Sequence, residues 1–287
     1  MIEISVPATS ANLGPGFDTL GIALNRYNIF TFKQVEKIDN KNDNLIYRSY
    51  KRVFETLDKP LLGVEITIET NIPVSRGLGS SAACIVGGVM GANEILGRPL
   101  SREEVLEIST IIETHPDNVA PAIYGGLVTS LVEGDKVYHC QVPIKNDLEF
   151  ITLVPDFKLS TKLSREVLPE MIPYKDGVYN VGRVSLLLAA LTTGRDDLLV
   201  QALNDKLHQP YRGNLIQGFD DIRNFANNKG ALGTYLSGAG PSIMCITKSK
   251  NQEFMDKIRA YMKTNYPSWM VLEHTVDNLG ARVVEFK

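Results

Sequence analysis

The 287-residue sequence predicts an α+β protein in two domains, residues 1–155 and 156–287. Three observations support that expectation. Segments that alternate apolar and polar residues recur from residues 2–6 to residues 282–286, and each reads as a strand. Segments with apolar residues at helical spacing, such as 219–227 and 252–264, lie among them, so both element types contribute. Pro155-Asp156, directly after the strand-like run 150–154, marks the boundary.

With 44% hydrophobic residues, a chain of this length can bury a substantial core. A net charge of −3 speaks against nucleic-acid or membrane-surface partners. No run of 18 apolar residues occurs, so no membrane span is expected. The opening Met1-Ile2-Glu3-Ile4 carries neither the basic region nor the cleavage site of a signal peptide. Cys84, Cys140 and Cys245 are odd in number and far apart, which suggests reduced, buried thiols in a cytoplasmic protein. Neither C-x-x-C nor H-x-x-x-H spacing is present.

Taken in order, residues 2–6 form a first strand, followed by a loop through Gly21 that Gly14, Pro15 and Gly16 make irregular. Asn12 and Asp18 offer an amide and a carboxylate from that loop, although both are also ordinary turn residues. Residues 29–35 read as a strand, 37–44 as a charged turn and 43–57 as an amphipathic helix. A strand at 61–69 then leads into Pro73-Val74-Ser75-Arg76-Gly77-Leu78-Gly79-Ser80-Ser81-Ala82, and a buried helix follows to Leu96.

That stretch is the strongest chemical signal in the chain. Its glycines allow close approach of a ligand, and the first amides of the following helix lack partners inside the helix. The helix dipole favours negative charge there, so the turn is suited to phosphate. It is not a Walker A sequence, because Gly79 is followed by two serines and no Lys. It matches the dinucleotide fingerprint formally (Gly77, Gly79, Ala82), but residues 70–76 break the tight strand-to-helix turn that fingerprint needs. A plain Gly/Ser helix cap is the bland reading. Arg76 either touches phosphate or is simply solvated.

Farther on, Ser101 caps a helix that runs to about Ile112. Glu113-Thr114-His115-Pro116-Asp117-Asn118 then forms a polar, Pro-marked turn. Strands are expected at 126–131, 136–142 and 150–154. Ser160 or Thr161 opens a helix on which Thr161 and Arg165, four apart, share a face. Helices follow at 179–192, from Gly194 to Leu207, and at 219–227. A glycine-rich segment, 232–242, precedes strands and helices at 243–247, 252–264, 269–275 and 282–286, which suggest a ferredoxin-type sandwich.

Residues 73–82 resemble the second motif of the GHMP kinase superfamily, and residues 7–18 and 232–242 resemble its first and third. Finer features are similar to homoserine kinases. These are P-A-T-S-A-N-L-G-P-G-F-D at 7–18, E-T-H-P-D-N at 113–118 with Thr114 where the family writes Gly, S-T-x-x-x-R at 160–165, and H-Q-P-Y-R at 208–212. The resemblance implies an N-terminal ribosomal-protein-S5-domain-2-like domain that binds ATP and a C-terminal ferredoxin-like domain. It implies ATP over Pro73 to Ala82, Mg²⁺ held by Ser81 and Glu113, and L-homoserine among Asn12, Asp18, His115, Thr161, Arg165, Arg212 and Gly238. Magnesium suits one or two protein oxygens plus substrate phosphates. Asp18 suits an ammonium group, and an arginine can hold a carboxylate with two parallel bonds.

The superfamily's sugar and mevalonate kinases use an Asp near this point as base. The resemblance puts Asn118 there, so Asp117 is not assigned as a base. The implied reaction is ATP-dependent phosphorylation of the homoserine hydroxyl, in threonine biosynthesis, by a cytoplasmic enzyme that is a possible homodimer. A mevalonate or sugar kinase is the nearest alternative, and Asp18 with Arg165 and Arg212 argues against it. A non-catalytic ligand sensor on the same fold is another, and intact Ser81 and Glu113 argue against that. A plain interaction protein has least in its favour.

Overall fold

The computed structural model describes residues 1–36 and 44–284. In chain order, β1 (Ile2–Ala11) and β2 (Leu20–Gln34) are followed by α1 (Leu45–Thr56), β3 (Val64–Glu69), α2 (Ser80–Ile95), α3 (Arg102–Glu113) and α4 (Pro116–Tyr124). Then come β4 (Leu127–Glu133), β5 (Lys136–Val142), β6 (Leu148–Val154), α5 (Thr161–Glu166), α6 (Tyr174–Thr193), α7 (Leu199–Ala202) and α8 (Gln209–Arg212). The chain continues with α9 (Phe219–Asn228), β7 (Gly233–Leu236), β8 (Ile243–Lys248), α10 (Gln252–Asn265), β9 (Met270–His274) and β10 (Arg282–Val283).

The strands form two sheets. One has the order β10-β1-β2-β4-β5, with β3 also on β2, and the other has the order β7-β8-β6-β9. All the strand pairs are antiparallel. β6 therefore stands in the second sheet, and β10 brings the chain back to the first. The alternation along β1 puts Ile4, Val6 and Ala8 fully inside, where they meet Phe30 and Leu24 across from them on β2. α2 is built from small residues and lies in the core of the first layer, against α1 and β1. The second sheet is covered by α9 and α10, whose inward faces (Phe219, Ile222, Phe254 and Ile258) are buried.

Local chemistry accounts for the helix ends. Ser101 accepts from the Glu104 amide while Glu104 reaches back to the Ser101 amide, a complete capping box for α3. Ser160 caps α5 by accepting from Leu163 N. Several local expectations change. Of the turn expected at 113–118, Glu113 ends α3 and residues 116–118 open helix α4, which is buried against β1, β2 and β4. Pro116 sits at its first position, where a missing amide costs nothing. The helix expected from Gly194 to Leu207 breaks after a 3₁₀ turn at 196–198 and the single turn α7. Asp205 ends it by accepting from the amides of Leu207, His208 and Gln209. β7, inside the third glycine-rich segment, was not anticipated. The expected turn at 37–44 lies outside the described residues except for Asn44, which caps α1, and the strand expected to reach Phe286 is described only to Val283.

Candidate active site

One cavity of about 550 Å³ collects most of the residues singled out above. Its wall includes Asn12, Asp18, Val74, Ser75, Arg76, Gly77, Gly79, Ser80, Ser81, Glu113, His115, Asn118, Thr161, Arg165, Arg212 and Gly238. Pro73, Leu78 and Ala82 are not in the wall; Leu78 and Ala82 are buried in the core beneath it.

The glycine-rich loop is held by the other two motifs. Gly77 O accepts from the Ser237 hydroxyl at 2.6 Å, and the Ser237 hydroxyl also meets that of Ser10 at 2.7 Å. Thr9 N donates to Leu78 O, Ser242 N to Arg76 O and Gly238 N to Ala11 O. The glycines are needed as glycines. A Cβ on Gly77 would lie 2.3 Å from Ser237 O and one on Gly79 1.9 Å from Thr9 Oγ1, and both residues have φ near +70°. Gly79 is also the N-cap of α2 and supplies no side-chain acceptor, and the helix has no acid in its first turn. The leading amides of α2 thus open on the cavity beside Ser80 and Ser81 with nothing negative supplied by the helix itself.

Arg76 is more specific than the sequence allowed. Its guanidinium donates to the carbonyls of Pro155 and Asp156, both at 2.8 Å, just beyond β6. It braces the loop against the second sheet. It is not merely solvated, and it also lines the cavity.

At the mouth of α2, Ser81 Oγ donates to Glu113 Oε2 at 2.9 Å. Glu113 ends α3, and burial raises its pKa, an effect that the Ser81 bond partly offsets. A desolvated carboxylate and a hydroxyl at one point of the wall are a donor set that fits a hard divalent cation shared with phosphate. Beyond it, Thr114 has φ +79°, a left-handed conformation that is unusual for a β-branched residue, and its hydroxyl pairs with His115 Nδ1 at 2.8 Å.

Asp117 and Asn118 open α4. Asn118 Oδ1 accepts from Thr9 Oγ1 at 2.8 Å. Asp117 is only 5% exposed, and no ion pair reaches it among the described residues. Burial, then Asp18 and Glu113, push its carboxyl up to about 7 against the opposing pull of Arg165 and Arg212.

Farther along the wall, charges of both signs converge. Arg165 donates to Asp18 Oδ1 at 2.6 Å, and His115 Nε2 stands 3.8 Å from Asp18 Oδ2. Burial lowers the His115 pKa, so the ring is neutral at pH 7. Asp18 is set by the loop, since its amide donates to Asn12 Oδ1 while Asn12 Nδ2 donates to Gly238 O. Arg212 is 1% exposed; its Nε donates to Ser164 O, and no carboxylate pairs with it among the described residues. Burial, then Arg165, bring its pKa down to about 10, which still leaves it cationic. Sequence reasoning missed Thr9 and Ser10, and of the three cysteines expected to be buried only Cys245 is, Cys84 being half-buried and Cys140 exposed on an outer strand. Cys84 lines the cavity, but burial pushes its thiol up to about 11 and leaves it unreactive.

Comparison with known proteins agrees with this geometry. Residues 44–126 match the GHMP kinases N terminal domain and residues 187–266 the GHMP kinases C terminal domain. The fold and the cleft thus define a small-molecule phosphotransferase of the GHMP class. The chain is 48% identical to a homoserine kinase of Clostridium botulinum over 99% of both chains, and 47% identical to one of Clostridium beijerinckii. The crystal structure of homoserine kinase from Cytophaga hutchinsonii superposes with a TM-score of 0.87 at 31% identity, covering 99% of this chain and 97% of that one. The mevalonate kinase of L. major, at 18% identity and a TM-score of 0.74, shares the fold. The chain belongs to the homoserine kinase family.

Proposed function

We propose that this chain transfers the γ-phosphoryl group of ATP to the side-chain hydroxyl of L-homoserine, giving O-phospho-L-homoserine and ADP, a step towards threonine. The observation that carries this reading is the pairing of features in one cavity. An uncapped helix mouth with Gly77 and Gly79 suits a triphosphate, and Asp18 with Arg165 and Arg212 suits a zwitterion. Without ligand, the acid and one guanidinium neutralise each other. A bound amino acid would offer its ammonium to Asp18 and its carboxylate to Arg165 and Arg212. Neither mevalonate nor a sugar carries both charges.

Ser81 and Glu113 would hold Mg²⁺, which would offset the charge of the transferring phosphoryl group. The backbone amides at the start of α2 would bind the phosphate oxygens, and Asn118, in the cavity wall, would meet the substrate hydroxyl. The hydroxyl oxygen bonds to the γ-phosphorus as the bond to the β-phosphate bridging oxygen breaks; ADP leaves with that electron pair, and the hydroxyl proton passes to a phosphoryl oxygen and on to solvent. Rate comes from alignment and charge stabilisation more than from a strong base. Three free cysteines suit a reducing compartment, in keeping with a cytoplasmic enzyme. Among the described residues no helix is long and apolar enough to cross a membrane. A homodimer, also implied by the family, is checked by sedimentation.

The test is a substrate panel with ATP and Mg²⁺, following ADP release. Homoserine turns over and mevalonate and galactose do not. Comparable kcat/KM for either of the latter overturns the reading.

A further inference from the structure

Two guanidiniums close together repel one another, and Arg165 accordingly acts to lower the pKa of Arg212. Asp18 pairs with Arg165, whereas Arg212 makes no ion pair among the described residues and feels Asp18, Asp117 and Asp205 only from farther off, and Arg165 Nε is buried without an acceptor. These carboxylates offset burial and the repulsion only in part, since the Arg212 pKa stays lowered, to about 10. The ring of Phe17 meets both cations, with Arg212 Cζ 4.9 Å and Arg165 Cζ 5.4 Å from its centroid. An aromatic face attracts a cation at these distances, and an aliphatic side chain of the same bulk does not.

The ring is itself fixed from below. Phe17 stacks on His208, with centroids 5.1 Å apart and planes 22° from parallel. His208 is fully buried, and burial lowers its pKa, so it is neutral. Its Nε2 donates to Gly14 O at 2.8 Å, in the same loop as Phe17. That leaves Nδ1 as an acceptor, 3.5 Å from Arg212 Nη1. Asp205 holds the backbone amide of His208 at 2.9 Å. The Phe17–His208 stack, anchored through the His208 amide by Asp205, thus supports two charges with neutral rings. Phe17 is not in the cavity wall.

We propose that Phe17 is a positioning residue for the substrate carboxylate, its ring gathering the Arg165 and Arg212 guanidiniums so that both meet one anion. This rests on the reading of the cavity as an amino-acid site. It explains why a bulky aromatic follows the tight Gly14-Pro15-Gly16 turn, directly before the acid that faces the ammonium group.

The test replaces Phe17 by Leu, by Tyr and, in a second line, by pentafluorophenylalanine, which keeps the shape and reverses the field of the ring. For Phe17→Leu and the fluorinated chain, KM for homoserine rises on the order of tenfold while KM for ATP stays within about twofold. Their preference for homoserine over homoserine amide, which lacks the carboxylate charge, falls by a similar factor. Phe17→Tyr retains both properties. The fluorinated chain stays decisive if Phe17→Leu misfolds. The inference is overturned if the fluorinated chain keeps the wild-type KM and preference, or if KM for ATP rises in parallel. A wild-type protein that does not phosphorylate homoserine removes the substrate reading first and this inference with it.

Discussion

Replacing Asp117 by Asn gives a protein that is more stable at pH 8 than the wild type and little different near pH 4. The carboxyl is buried in the cavity wall with no cation paired to it among the described residues, and burial pushes its pKa from 3.8 up to about 7. The folded state therefore keeps a proton that the unfolded chain releases between those values. Any stabilisation linked to that proton is complete below pH 3.8, declines as pH rises through the window and is gone above 7. A rise from 3.8 to about 7 corresponds to roughly 4 kcal/mol at about 1.4 kcal/mol per tenfold change, an upper bound because water and side chains relax around the charge. Urea unfolding of the ligand-free protein at pH 5, 6.5 and 8 measures it. Asp117→Asn gains stability progressively with pH and approaches that bound at pH 8. A difference that is flat with pH, or a loss that deepens at high pH, refutes the account of this carboxylate. Such a cost at the wall of a cleft is a familiar trade of stability against function.

Other outcomes follow from the same geometry. Glu113→Gln lowers kcat by about 100-fold or more at saturating Mg²⁺ while the ATP dissociation constant by calorimetry changes little; near-normal turnover would remove Glu113 from the metal site. Arg165→Ala raises KM for homoserine by roughly 10- to 100-fold with KM for ATP nearly unchanged, as steady-state kinetics with each substrate varied will show. Thr114→Gly relieves a left-handed β-branched residue and stabilises the protein by about 1 kcal/mol in thermal or urea unfolding, and it also frees the His115 ring from the Thr114 hydroxyl. Gly79→Ala abolishes activity, because its Cβ would meet Thr9 Oγ1, and a fully active variant would show that the loop is looser than described.

Much of the site was legible because its chemistry is local. Gly77 and Gly79 declare a tight approach, Ser80 and Ser81 a helix start, and Thr161 with Arg165 a shared face, all within a few residues. What the sequence hid is non-local. Arg76 meets the carbonyls of Pro155 and Asp156, nearly eighty residues away, and no periodicity encodes that. The role of Ser237, clamping Gly77 O and meeting Ser10, depends on how three distant loops assemble. Helix α4 was misread because Pro116 and Pro121 look like turn punctuation. Yet Pro116 stands at the first helical position, and Asp117 O, left without an amide at Pro121, packs instead against the bare Cα of Gly21, where a Cβ would come within 1.7 Å. His208 was visible only as part of H-Q-P-Y-R. Its burial, which makes it a neutral support for Phe17, emerges only from the packed structure.

The most direct measurement is a crystal structure of the protein with homoserine and a non-hydrolysable ATP analogue. The account predicts phosphate oxygens against the leading amides of α2, with the homoserine carboxylate between Arg165 and Arg212 and its ammonium on Asp18. A nucleotide bound elsewhere, with Gly77 to Ser81 bare, would contradict it.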